Sequence, residues 1–147
     1  VGVILCGYVF LGGAWNDPLP WLLSLPLLLA ILPSIILSGI PDMQADEEAG
    51  KNTLAVRLGQ RGTLILAMVF TVLAAGAALL WQCMGLARGA YAGVAQVAIA
   101  HGAMLVWLLY QRLRSGRPPG RIDGLMAASL TFLLWFGVIA LLRLAAG

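Results

Sequence analysis

The sequence predicts an all-α fold, a polytopic transmembrane helix bundle of four full spans plus a partial first span. A short cytoplasmic acidic helix-loop follows the second span. Two observations carry this. Of the 147 residues, 61% are hydrophobic and only 10% are charged, and the mean hydropathy is +0.95. A soluble domain carries about 25% charged residues. The second observation is the spacing: apolar stretches of span length alternate with short connections that hold the charges.

The first stretch, residues 1–13, is too short to cross a bilayer and opens on Val1. It reads as the tail of a span whose beginning precedes this chain. It lacks the basic start of a signal peptide, and Trp15-Asn16-Asp17-Pro18 stands where a small-residue cleavage site would fall. The second stretch covers residues 19–39, the third 63–84, the fourth 90–110 and the fifth 125–142. Each approaches the roughly 20 apolar residues needed to cross a hydrocarbon core. No Asp, Glu, Lys or Arg interrupts them. Pro26 and Pro33 predict kinks in the second stretch.

Basic residues alternate between connections. The turn at 14–18 has none; the next connection holds Lys51, Arg57 and Arg61. Arg88 alone follows the third stretch, Arg112, Arg114, Arg117 and Arg121 follow the fourth, and Arg143 ends the fifth. The positive-inside rule therefore places the acidic and the Arg-rich connections together on the cytoplasmic face. The expected location is the cell's inner (plasma) membrane. Residues Arg112 to Arg121 read first as an anchor at the membrane surface, with polyphosphate binding as the alternative. Nothing indicates a nucleic-acid partner, because the basic residues flank spans.

Cys6 and Cys83 lie far apart, without the spacing of a metal site or disulfide framework. His101, the single histidine, falls within the fourth span. An ionisable group at that depth is a functional candidate, yet a neutral imidazole bonded to a neighbouring helix is the commoner outcome. Trp15, Trp21, Trp81 and Tyr110 fall near span ends, where aromatic residues anchor to the interface. Ala98 and Gly102 have the small-residue spacing that lets helices approach closely, as do Gly89 and Gly93.

Four of the six acidic residues fall in one window, as Asp42, Asp46, Glu47 and Glu48. Gly39 and Pro41 should end the second span, and Pro41 suits the first turn of a new helix. Asp42 and Asp46 would then share one helical face. Two carboxylates so placed make a half-site for Mg²⁺, which is held by one or two carboxylates together with substrate phosphates and waters. Lys51 and Arg57 offer positive charge to the same phosphates, and Gly50 permits an otherwise strained backbone. Taken alone, the same pair also fits a solvated helix face, and Gly50-Lys51 is no P-loop, since the upstream Gly is absent.

The whole string is more specific. Asp42-x-x-x-Asp46, then Gly50-Lys51-x-Thr53, then Leu54-Ala55-Val56-Arg57-Leu58-Gly59 resembles the second aspartate-rich motif of the UbiA-type intramembrane prenyltransferase superfamily. Its place after one full span and before three more matches the C-terminal half of such an enzyme, over residues 1–147. The ending looks most like the branch that prenylates 1,4-dihydroxy-2-naphthoate in menaquinone synthesis. That branch often has Asn-Asn-x-Arg before the first Asp, where this chain has Ser38-Gly39-Ile40-Pro41, and Asn52 stands where a basic residue is common.

The resemblance implies Mg²⁺-dependent transfer of a polyprenyl group from polyprenyl diphosphate to an aromatic acceptor, in the lipid bilayer. Asp42 and Asp46 would be the metal-binding catalytic residues, and Lys51 and Arg57 would hold the diphosphate. The family's first motif, of the Asn-Asp-x-x-Asp kind, has no match here. Asn16-Asp17 runs into Pro18-Leu19-Pro20 and falls on the opposite face. The expectation is that these residues act only with a missing N-terminal half of the same protein and are inactive alone. A different acceptor within the superfamily, or a non-catalytic transporter segment or scaffold, are the competing readings.

Overall fold

The computed structural model describes residues 6, 8–10, 12–85, 93–116 and 122–146, without the side chains of 19, 23 and 140–146. Most of the partial first span, and Arg88, Gly89, Arg117 and Arg121, lie outside the described residues, as does the Arg143 side chain. Among the described residues, with helical residues also at 6 and 8–10, the helices with defined bounds are α1 (Pro18–Ser38), α2 (Met43–Glu48), α3 (Leu54–Cys83), α4 (Val94–Ser115) and α5 (Asp123–Ala146). Among the described residues there is no strand.

The four long helices pack in a ring, α1 on α3, α3 on α4, α4 on α5 and α5 on α1, while short α2 rests on α3. Three of them, Pro20–Ser38 within α1, Leu54–Cys83 and Val94–Ser115, are long and apolar enough to cross a membrane. In α5 the apolar run Asp123–Ile139 is shorter.

Small residues face inward. On α3 the buried positions Leu64, Ala67, Thr71, Ala74, Ala78 and Trp81 alternate three and four apart, the period of a seam between nearly parallel helices. Ala98 and Gly102 on α4 are buried as well, so the small-residue reading holds for that pair. A Cβ at Gly102 would stand 3.3 Å from the Phe132 ring and 3.6 Å from Thr71. Large apolar side chains lie both inside, as Leu37, Leu105 and Phe132, and outside, where Ile35, Val72, Leu80, Trp107 and Leu134 are each more than half exposed. An apolar exterior suits a lipid surround, where it carries no penalty and close backbone approach supplies packing.

The buried hydroxyls of Thr63, Thr71 and Ser129 are satisfied locally. Thr71 donates to the Ala67 carbonyl and Ser129 to that of Met126, each at 2.8 Å. His101 bonds as expected of a neutral imidazole. Its Nε2 donates to the Ala128 carbonyl at 2.9 Å, and its Nδ1 accepts from the Trp135 indole at 3.3 Å. It thereby ties α4 to α5.

Trp81 departs from expectation. It is 7% exposed and its indole donates to the Leu22 carbonyl on α1 at 2.9 Å. It is a core residue that closes one end of the ring, whereas Trp15, Trp21 and Tyr110 are exposed. Helix α1 runs through Pro26 and Pro33 without interruption, and both prolines are buried.

Candidate functional site

The acidic segment forms one end of the bundle, between the close of α1 and the start of α3. Gly39 and Pro41 break the backbone as expected, but the new helix begins at Met43 with Asp42 as its N-cap. Pro41 lies two residues ahead of the helix, in the turn 39–42. The spacing of the carboxylates survives the shift, because the Asp46 amide already donates to the Asp42 carbonyl at 2.8 Å. Asp42 and Asp46 are thus one turn apart, with Asp42 exposed and the Asp46 side chain 14% exposed.

Helix α2 ends in a left-handed turn that decides where Lys51 goes. Gly50 has φ +69°, a conformation that costs other residues roughly 1–2 kcal/mol. The Gly50 amide donates to the Glu47 carbonyl at 3.0 Å and the Lys51 amide to that of Asp46 at 2.8 Å. This is the paired bonding of a Schellman cap. The chain is folded back on itself, and Lys51 Nζ donates to Asp46 Oδ1 at 2.7 Å. The hydrogen bond and charge of Asp46 raise the Lys51 pKa above its ordinary value, and Asp42 adds a smaller pull. Asp42, Asp46 and Lys51 therefore form one electrostatic group.

Thr53 then starts α3. Its backbone is extended, and its hydroxyl accepts from the Val56 amide at 3.4 Å. The sequence showed this cap only as Thr ahead of an apolar run, the usual mark of a helix start, and the reading of the motif passed over it. The helix begun there lasts one turn. Gly59, at φ 64° and ψ 171°, interrupts it before the long span resumes. That region of backbone space is essentially reserved for glycine.

Arg57 sits in the short turn ahead of the break and is exposed. Among the described residues no hydrogen bond or ion pair joins it to Asp42, Asp46 or Lys51. The structure brings together three of the four candidate residues and leaves the fourth on an adjacent turn.

The donor set suits Mg²⁺ in part. Two carboxylates are hard oxygen ligands of the kind Mg²⁺ takes alongside phosphates and waters. Among the described residues no group of three or more His, Cys, Asp or Glu could hold a metal without other help. Asp42 and Asp46 would hold Mg²⁺ only together with the oxygens of a bound diphosphate or further ligands.

No curated protein and no solved structure matches the chain. The model of the UbiA prenyltransferase family matches residues 1–135. The chain belongs to the UbiA prenyltransferase family.

Proposed function

We propose that this chain provides the second aspartate site of an integral-membrane prenyltransferase, which moves a polyprenyl group from its diphosphate to an aromatic acceptor. The observation that carries the reading is the Asp42–Asp46 pair, one turn apart, with Lys51 returned onto Asp46 by the Gly50 turn. Family membership supports prenyl transfer. Mg²⁺ held by the pair would neutralise charge on the diphosphate as the allylic C–O bond ionises.

The chain's own residues would do the rest. Asp42 and Asp46 would hold the metal, and Lys51 would donate hydrogen bonds to the diphosphate oxygens. Arg57, on its separate turn, is free to swing toward the same anion. Cations already in place where negative charge develops lower the barrier without reorganising at the moment of reaction. The apolar bundle would keep water from the allylic cation. Only one carboxylate pair of the two-motif arrangement occurs in the sequence, so transfer would need the complementary half, the Asn-Asp-x-x-Asp motif. These 147 residues alone would be inactive.

The acceptor we infer is 1,4-dihydroxy-2-naphthoate, on the Gly50-Lys51-x-Thr53-Leu54-Ala55-Val56-Arg57-Leu58-Gly59 string. The test is prenyl transfer in membranes from cells expressing the gene that encodes this chain, with that acceptor offered against other phenols. Transfer should require Mg²⁺ and fall about 100-fold or more in Asp46→Asn, the scale on which removing one electrostatic stabiliser acts. Unchanged transfer in Asp46→Asn would refute the site, and preference for another phenol would refute only the acceptor.

A further inference from the structure

Pro26 stands in the interior of α1. Proline has no backbone N–H, and its ring crowds the carbonyl four residues earlier. Here that carbonyl belongs to Leu22. It is the same carbonyl to which the Trp81 indole donates, at 2.9 Å. A side chain of α3 therefore supplies the bond that α1 cannot make for itself. Lipid offers a freed carbonyl no donor, and prolines are tolerated in spans where a neighbouring helix satisfies it.

The two parts of α1 are held differently. After Pro26 the helix is rooted in the apolar core through Ala30, Ile36 and Leu37. Before it, among the described residues, no side chain belongs to that core. The buried Ser24 spends its hydroxyl within α1, on the Trp21 carbonyl at 2.9 Å. Among the described residues, the Trp81 bond is the one hydrogen bond that ties residues 18–25 to another helix.

The same carbonyl has a second partner within reach. At 1.5 Å per residue, Leu22 lies about 6 Å along the axis from the first residue of α1. Interfacial water can take the place of the indole there, so the bonded and released forms each satisfy the backbone. We infer that Pro26 is a hinge in α1 and that Trp81 is its clasp. With the indole bonded, residues 18–25 stand against α3. With that bond exchanged for water they swing away, while the rest of α1 stays packed. A groove of about 650 Å³ between α1 and α5, lined by Leu27, Leu28, Leu133 and Leu134 among others, begins one residue after the hinge. The clasp thereby decides whether residues 18–25 continue the α1 wall of that groove.

The experiment uses the full chain in nanodiscs, carrying Cys6→Ser and a spin label on the native Cys83, which is exposed at the end of α3. A second label at the exposed Trp21→Cys reports on the segment before the hinge. One at the exposed Ile35→Cys, in a separate sample, reports on the segment after it. Dipolar electron paramagnetic resonance reads each pair. Trp81→Phe keeps an aromatic ring and removes the donor. It should raise the ratio of separated to close labels at 21 and 83 about tenfold, the scale of leaving a buried acceptor unpaired. The pair at 35 and 83 should not change. Pro26→Ala restores a backbone N–H to the Leu22 carbonyl, so Trp81→Phe in that background should return the labels at 21 and 83 to the close form. The inference is overturned if Trp81→Phe leaves that pair as in wild type, if both pairs change together, or if Pro26→Ala gives no rescue.

Discussion

Lys51 and Asp46 are joined twice, through the backbone and through the side chains, and this double link gives the Gly-Lys spacing a physical meaning. Gly50→Ala should therefore disturb both bonds. We expect a loss of about 1–2 kcal/mol from the left-handed backbone alone, read by denaturant unfolding in detergent, together with weaker metal-dependent diphosphate binding. Lys51→Gln should weaken that binding about tenfold, and Lys51→Arg should retain most of it.

The pH dependence follows from the raised Lys51 pKa. A raised folded-state pKa means that the pairing contributes fully below the ordinary lysine value of about 10.4 and is lost only as pH rises through the higher one. A titration of the Lys51→Gln effect should accordingly stay flat from about pH 7 to about pH 10. At this scale the sequence was legible in residue identity and spacing. It did not show that Lys51 bonds to a candidate metal ligand, because that depends on the handedness of one turn.

Two devices at the start of α3 control the next level. Thr53 caps the first turn, so Thr53→Ala should destabilise the chain by about 1 kcal/mol. Gly59 then breaks the helix at a backbone conformation that only glycine adopts readily. Nothing lies within 4 Å of a Cβ built at Gly59, and the same is true of Gly76 in the middle of α3. Sterics are matched, so the two substitutions isolate the backbone. Gly59→Ala should lose about 1–3 kcal/mol, whereas Gly76→Ala should be neutral or gain about 0.5–1 kcal/mol. Unfolding midpoints in detergent decide the matter. The apolar run from Thr63 marked the span, but the helix starts nine residues earlier, at Leu54. Its first turns are amphipathic and charged, and a search for uninterrupted apolar length starts after them.

Among the described residues four long helices form a ring, with a buried seam of small residues on α3 and many large apolar side chains on the outside. Composition and stretch length were enough to predict that class. Helix order follows from the order of the apolar stretches, whereas the buried seam of α3 emerged only from the packing. Trp81 was misplaced because an aromatic residue at a span end has two uses, at the interface or as a plug, and only its hydrogen bond to Leu22 separates them. The proposed orientation makes a prediction at this scale. Cys83, exposed at the end of α3 remote from the acidic segment, should react with a membrane-impermeant maleimide from outside the cell in a Cys6→Ser background. A cysteine placed at the exposed Glu47 should react only after the cytoplasmic side is opened. The reverse pattern would invert the topology.

The central claim is that Asp42 and Asp46 hold a divalent metal jointly with diphosphate. Electron paramagnetic resonance of Mn²⁺, as a stand-in for Mg²⁺, tests it most directly with the full chain in nanodiscs and inorganic diphosphate. The account predicts protein-bound Mn²⁺ that appears only with diphosphate and is lost in both Asp42→Asn and Asp46→Asn. Equal Mn²⁺ binding by wild type and the two variants, or no diphosphate-dependent binding at all, would contradict it.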